Sequence, residues 1–561
     1  MSYRLVSKLI RGHAYYYAVR SARVNGKPRN VDQVYLGKVD DLVAMRQGAL
    51  TPTTVRTRHF GAVAALWQLA GDLDLVATID RHCPQPGNHA PSVGTYLVLA
   101  AINRVVSPRS KRGFAEWYET TALRRICGIS PDELSSQDFW QAMDRVPEAA
   151  PGAIMGEVAQ KALAQLPLGD EVVAFDCTNF FTWIDSGNSR PQMPRRGHNK
   201  AHRYDLRQVG LALATTVHSE MPLFHHVYAG NSPDVTVFRE VWPRLEERLR
   251  QLGLGAATAV YDTGNVSVVN QRQVDKSGIS YVTSVPPSQH PELLAVPLAS
   301  FQQAAHLRLS GIRYSASQQM ILRRQRLVVQ TYSPTLASGQ LAGLRQHLAK
   351  AQAALSELQA MLQRGSRRKP SDPETLRHEI DGILSGQHLR QVMTTKLEAD
   401  AQQRQQLQFA VDEERVTHLV DHLFGRRLWI TNHLEWEPER VILAARGQSE
   451  AEDAFRQLHA ERAVAWSPMW HWTDQKIQVH GLYCVLGLML VRLLQHRAAA
   501  VADTREPQAL IADLDEVTES LLIYPAAGGG RGRPRTATAI SETTPRQQSL
   551  LEATGALAIG P

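Results

Sequence analysis

The chain is poor in cysteine: Cys83, Cys127, Cys177 and Cys484 are the four in 561 residues, and no two stand close together. Such spacing argues against a zinc ribbon or a disulfide framework and fits a reducing cytoplasm. The histidines His198, His202, His225 and His226 lack cysteine partners or a helical His-Glu motif, so zinc is not expected. The amino terminus, Met1-Ser-Tyr-Arg-Leu-Val-Ser-Lys, has no continuous apolar core, and no secretory signal is read there. Long apolar runs are scarce too. The strongest, Gly481-Leu-Tyr-Cys-Val-Leu-Gly-Leu-Met-Leu-Val, is stopped by Arg492 and falls short of the roughly 20 residues that span a bilayer. It reads as a buried core helix, and no membrane partner is expected.

What is present suits several globular cores. Hydrophobic residues make up 43%, and at about 100–200 residues per domain the length implies three to five units. The net charge of +8 suits a polyanionic partner. Residues 1–50 read as a basic β-hairpin region, with Tyr15-Tyr-Tyr-Ala-Val, a turn at Asn25-Gly-Lys-Pro, and a second extended run ending Val34-Tyr-Leu-Gly. Arg20, Arg23, Lys27 and Arg29 interleave there with aromatics, as nucleic-acid surfaces often do. Residues 51–165 carry apolar positions at three- and four-residue steps and read as a helical DNA-binding region.

Residues 166–290 alternate short apolar strands with helical and turn segments, the pattern of an α/β core. Residues 291–435 read as an insertion of strands plus a helical hairpin, in which Leu341, Leu344, Leu348, Leu355, Leu358 and Leu362 keep a heptad-like spacing. Residues 436–500 turn helical again and read as the last part of the core, with the helix that carries Glu452. Residues 501–561 read as a flexible basic tail, whose Arg531-Gly-Arg-Pro-Arg resembles the core of an AT-hook.

Three acids draw the chemistry together. Asp176 follows the apolar run Glu171-Val-Val-Ala-Phe, Asp262 follows Ala256-Ala-Thr-Ala-Val-Tyr, and Glu452 lies in the helical stretch from Gln448. Open α/β sheets hold ligands beyond the carboxyl ends of their strands. Carboxylates suit Mg²⁺ or Mn²⁺, and two such ions can serve phosphoryl displacement. Between the aspartates, Lys200, Arg203 and Arg207 belong to a charged segment that could clamp phosphates.

The ordered blocks Asp176-Cys-Thr-Asn, Gly197-His-Asn-Lys-Ala-His-Arg-Tyr-Asp-Leu-Arg-Gln-Val-Gly-Leu, Ala229-Gly-Asn-Ser-Pro-Asp, Tyr261-Asp-Thr-Gly-Asn, Leu428-Trp-Ile-Thr-Asn, Glu452-Asp-Ala-Phe-Arg-Gln-Leu and Trp470-His-Trp-Thr-Asp-Gln-Lys-Ile-Gln-Val-His resemble those of DDE transposases of bacterial insertion sequences, IS-four superfamily. The resemblance implies a ribonuclease-H-like core with a β-strand and helical-hairpin insertion, preceded by the hairpin and helical region. It implies that Asp176, Asp262 and Glu452 bind two Mg²⁺, with Mn²⁺ as a substitute, and catalyse DNA strand cleavage and transfer. It further implies double-stranded DNA partners, namely terminal inverted repeats and target, a homodimer in a synaptic complex, and a bacterial cytoplasmic, nucleoid-associated location. Arg456 and Lys476 fall at basic positions of the later blocks. The chain departs from the family where Tyr, Arg and Lys commonly flank the glutamate: here stand Ala445, Gln448 and His459. A decayed or repurposed transposase that binds DNA without cutting it is the alternative. Trp183, Trp466, Trp470 and Trp472 are expected mainly in core packing.

Overall fold

The computed structural model describes residues 3–24, 27–46, 51–85, 91–167, 171–185, 187–199, 201–364, 372–399, 405–459, 464–524 and 535–560. The chain divides into two compact units. One comprises Met1–Ala162, Thr182–Pro191 and Arg456–Pro561; the other comprises Leu163–Phe181 and Gln192–Phe455.

The second unit is mixed α/β, built on a nine-stranded sheet. Across it the order is Gln302–Gln303, Arg313–Ile321, Arg324–Tyr332, Arg426–Thr431, Ser280–Val285, Thr258–Tyr261, Val172–Thr182, Arg207–Thr216 and Pro222–Ala229. The strands Val172–Thr182, Thr258–Tyr261 and Ser280–Val285 run parallel at its middle. Arg207–Thr216 is apolar from Val209 to Ala214 and buried throughout that run, as a strand covered on both faces must be. Gly210 within it is obligatory, because a Cβ there would lie 2.0 Å from the ring of Tyr228 on the paired strand.

Helix Asp234–Gln251 connects the meander to the second parallel strand. It buries Val237, Phe238, Val241, Trp242, Leu245 and Leu249, a stripe at helical spacing. Phe238 packs on Phe175 and on Tyr261, with ring centroids 5.4 and 4.9 Å away, so one helix seats both strands that lead to the aspartates. The opposite face is covered by helix Pro438–Arg446, whose Val441, Ile442, Ala444 and Ala445 share a core with Val260, Val282 and Val329.

The segment expected as an insertion contributes four of the nine strands. Within it, helix Pro334–Gln363 packs Leu344, Leu348, Leu355 and Leu358 with Leu376 and Ile380 of helix Pro373–Ile383. The same core holds a second hairpin, Met393–Ala399 with Gln405–Val411, and helix Glu413–His422. Sequence reading missed that pair because its strands are mostly polar and largely exposed.

The first unit opens with three antiparallel strands, Arg4–Ile10, His13–Val24 and Lys27–Gly37, where two extended runs were expected. The additional turn is Arg11-Gly12, with both residues at positive φ, 52° and 79°. A hairpin turn of that hand favours Asn or Asp first, and arginine there conceals it from the sequence. Helices Gly61–Asp72, Leu75–His82, Val93–Val106, Ser136–Asp144 and Ala150–Leu163 follow.

Two boundaries need correction. Helix Asp474–Ala500 belongs with this unit and not with the α/β core, because it packs on helix Val93–Val106, where Gly487 approaches the Ala101 carbonyl. Among the described residues it is the one helix long and apolar enough to cross a membrane, and 94% of its most apolar stretch is buried within the protein. The expected flexible tail also folds. Strand Thr518–Tyr524 pairs antiparallel with Thr54–His59 on one side and Arg535–Ile540 on the other. Helix Pro507–Asp515 sits so close to helix Gly61–Asp72 that a Cβ on Gly61 would meet the Leu514 carbonyl at 2.2 Å. The apolar positions Leu510, Leu514, Leu550 and Leu551 order these segments by burial, and the loose-looking Gly-rich stretch between them masked that signal. Arg531 and Arg533 lie outside the described residues.

Candidate active site

Asp176 and Asp262 are placed by register. Phe175 pairs with Tyr261 across the parallel strands, so the two aspartates are the next residues at the same level. Adjacent strands lie about 4.8 Å apart, which brings their backbones into immediate neighbourhood. Asp176 is within its strand, which continues to Thr182, and Asp262 directly follows the end of the strand Thr258–Tyr261. Successive side chains alternate faces. Since Phe175 and Tyr261 point to helix Asp234–Gln251, both aspartates belong to the face covered by helix Pro438–Arg446.

Beyond Asp262 the chain is tied down locally. The backbone N–H of Asn265, a buried residue, donates back to the Asp262 carbonyl at 3.0 Å, and Asn270 Nδ2 donates to the carbonyls of Asn265 and Val235, each at 2.8 Å. Thr263 and Ser284 share a hydroxyl contact. These bonds account for the Tyr261-Asp-Thr-Gly-Asn block without reference to any ligand.

Glu452 arrives on helix Gln448–His459. Gln448 Nε2 donates to the carbonyl of Phe175 at 3.4 Å, joining the first turn of that helix to the residue before Asp176. Gln448 and Glu452 are four apart and therefore on one helical face. Glu452 is exposed, while Ala454 and Phe455 are buried on the packing side.

The electrostatics agree with this placement. Partial burial, above all, pushes Asp176 up to about 7 against the pull of the Cys177 amide hydrogen bond; the carboxylates of Asp262, Glu452 and Asp234 add to the rise. Asp234, at the start of its helix, is a fourth acid that sequence reading included in a block without assigning it to the site.

Asp262 and Glu452 line one cavity of about 610 Å³ with Ala445, Arg446 and Gln448, and Arg426 and Arg427 also border it. Ala445 is buried and offers no polar group there. Arg427 and Arg446 are exposed cations at the rim. Among the described residues, no three of His, Cys, Asp and Glu stand close enough to enclose an ion by themselves.

The remaining expected DNA contacts are dispersed. Lys200 lies outside the described residues. Arg203 is exposed and makes a bidentate pair with Asp205 at 2.7 and 2.8 Å, which holds that carboxyl down to about 2. Arg207 begins the strand Arg207–Thr216. Arg20 is half-exposed beside Asp32 and over the ring of Tyr3, while Arg29 is exposed. Arg23 and Lys27 occupy paired strand positions near the second turn. Arg456 is exposed on helix Gln448–His459. Lys476 departs from expectation: it is buried, and its ammonium is bound by Asp144. It serves as an internal ion pair in this arrangement and offers no free charge to a phosphate. Of the four tryptophans expected in cores, Trp466 is fully buried, but Trp183, Trp470 and Trp472 are between 43% and 49% exposed.

A mixed α/β unit with one acid within a central parallel strand, a second just past the end of the neighbouring strand, and a third on a helix is the class that fold and site define. No family model matches the chain, and no curated protein matches it. Six chains of solved structures match. One, titled as the cryo-EM structure of the piggyBac transposase synaptic complex with hairpin DNA, is 8% identical, with a TM-score of 0.39, covering 81% of this chain and 79% of its own. A match this remote carries no function to this chain.

Proposed function

We propose that the chain is a transposase that cleaves DNA strands at the ends of an insertion sequence and joins them to target DNA. In this reading the second unit is a ribonuclease-H-like core, supported by the sheet in which Val172–Thr182 and Thr258–Tyr261 run parallel and an aspartate follows each member of the pair Phe175–Tyr261. The observation that supports the reading is the hydrogen bond from Gln448, one turn before Glu452, to the carbonyl of Phe175, the residue before Asp176.

Carboxylates are the ligand type that hard divalent cations take, and among the described residues these three do not enclose an ion by themselves. Burial chiefly, with the carboxylates of Asp262, Glu452 and Asp234 adding to it, raises Asp176, and Mg²⁺ or Mn²⁺ ions would favour its charged form. Asp176, Asp262 and Glu452 would hold them. When bound, such ions polarise a phosphodiester and favour an attacking oxygen at neutral pH. The chain itself supplies the remaining work: Arg427 and Arg446 at the cavity rim are positioned to engage phosphate oxygens, and the rigid pairing of Phe175 with Tyr261 fixes the aspartate spacing.

A second reading is favoured by one observation. Ala445 and Gln448 line the cavity where the resembled family commonly has Tyr and Arg, so a protein that grips DNA without cutting it would have this site. The test is a plasmid carrying the DNA that flanks the gene, incubated with the full chain and Mg²⁺, Mn²⁺ or a chelator. Metal-dependent nicking at a repeat boundary, followed by joined products, is expected. Asp176→Asn, Asp262→Asn and Glu452→Gln should each lower nicking by more than about a hundredfold, a larger loss than removing an outer-shell partner usually causes. Binding of the repeat should persist. Glu450→Gln should cut normally. Binding without nicking in either metal selects the second reading, and wild-type nicking by any of the three variants removes that residue from the site.

A further inference from the structure

The first unit contains a cavity of about 820 Å³ that the reading above leaves unused. It is bordered by the connection after helix Val93–Val106, by helix Ser136–Asp144, and by the segment from Pro468 to Trp472. Its wall is aromatic. Trp140 stacks on Trp472 with centroids 5.0 Å apart and planes 25° from parallel, and Trp470 and Trp472 remain 49% and 43% exposed.

The charge on the cavity is unbalanced. Arg104 is 5% exposed and donates to the carbonyls of Ala465 and Arg109, at 3.4 and 2.8 Å, with the Tyr483 hydroxyl as a further hydrogen-bond partner. Lys111 Nζ stands 3.0 Å from His471 Nε2 and 4.5 Å from the Trp140 ring centroid. Among the described residues neither cation has a carboxylate within ion-pair distance. The one acid on the wall, Asp144, is taken by Lys476. His471 is 2% exposed, and its Nδ1 has no hydrogen-bond partner. Burial and neighbouring charge hold Lys111 and His471 well below their usual ranges, a cost that an incoming anion would reduce.

A ligand suited to this wall is planar, aromatic and anionic. We propose that the cavity binds a nucleotide, stacking its base on the Trp470 and Trp472 side and meeting its phosphate with Arg104, Lys111 and His471. Base stacking on an aromatic side chain tolerates any base, and Gln137 and Gln141 on the same wall can bond to base edges. The proposal uses no residue of the acidic site, so it stands or falls apart from strand cleavage.

The test measures binding of a fluorescein-labelled short oligothymidylate to the full chain in a chelator, by anisotropy, with cleavage silent. Trp472→Ala should weaken binding about tenfold, a loss typical of one stacked base, and Trp472→Phe should restore most of it. An abasic strand of equal length should bind more weakly than the intact strand and lose nothing further in Trp472→Ala. Thermal melting equal to wild type is the control on folding, and the half-exposed position of Trp472 favours that outcome. Thymidine monophosphate is the second arm. Displacement by it at concentrations where the strand is equally effective assigns a free nucleotide, and much weaker displacement assigns a strand. Equal loss on intact and abasic strands, or unchanged binding in Trp472→Ala, overturns the proposal.

Discussion

Two adjacent histidines give the second unit a residue-scale acid weakness. His225 is fully buried, and burial first, then His226 and two arginines, depress it to about 3. His226 lies at about 4, lowered by burial and then by Arg244, whose guanidinium donates to His226 Nδ1 at 2.9 Å. In the unfolded chain both titrate near 6.5. Below that pH the unfolded state takes up protons that the folded state refuses until about 4 and 3. Stability therefore falls as pH drops through this window, by about 1.4 kcal/mol per pH unit for each histidine. Urea unfolding of His225→Leu at pH 7 and pH 5 should show a smaller difference than wild type. An identical difference would mean that His225 is protonated in the native state.

At the scale of elements, the carboxyl-terminal strand and helix are structural. Gln547 caps its own helix and donates to the Asp513 carbonyl at 2.9 Å, and Leu550 and Leu551 are fully buried. Leu550→Ala should cost about 2–5 kcal/mol, read as a lowered denaturant midpoint. Truncation after Tyr524 should cost more, because it also strips Arg535–Ile540 from the strand beside it. Unchanged melting after that truncation would return the segment to the status of a tail. How far the sequence disclosed these elements depended on which force ordered them. The aspartate strands were legible because a short, mostly apolar run precedes each acid, and the heptad leucines disclosed the helix Pro334–Gln363. The strand Thr54–His59 was not legible: Thr-Val-Arg-Thr-Arg-His has one large apolar residue, and its partner lies near the other end of the chain. The burial of Lys476 was equally hidden, since only the fold brings Asp144 to it.

The units are discontinuous in sequence: the first combines both ends of the chain with Thr182–Pro191, and the second is drawn from the rest of the middle. A fragment lacking residues 1–164 would therefore expose the helix Asp474–Ala500, most of whose apolar surface packs inside this unit. Such a fragment should aggregate, and its failure to bind DNA would say nothing about recognition. Removing residues 1–50 is the informative deletion, because it takes away the basic strands and leaves the helices in place. It should yield a soluble protein with weaker binding to the repeat and a shallower dependence on salt, since fewer phosphate contacts release fewer counterions. Unchanged affinity and slope would move recognition out of these strands.

The pairing of strand Thr54–His59 with strand Thr518–Tyr524 also sets an order for synthesis. The Thr53 hydroxyl and the Ile523 carbonyl that meet there are separated by 470 residues. At about 5–20 residues per second, a ribosome needs roughly 20–90 s between them. During that interval the middle unit has emerged and can fold, while the amino-terminal helices wait for a partner still being translated. A chain cut short by a premature stop would thus present the acidic site without a completed first unit. Its apolar helices would become a handle for chaperones and proteases, and quality control would fall most heavily on incomplete copies.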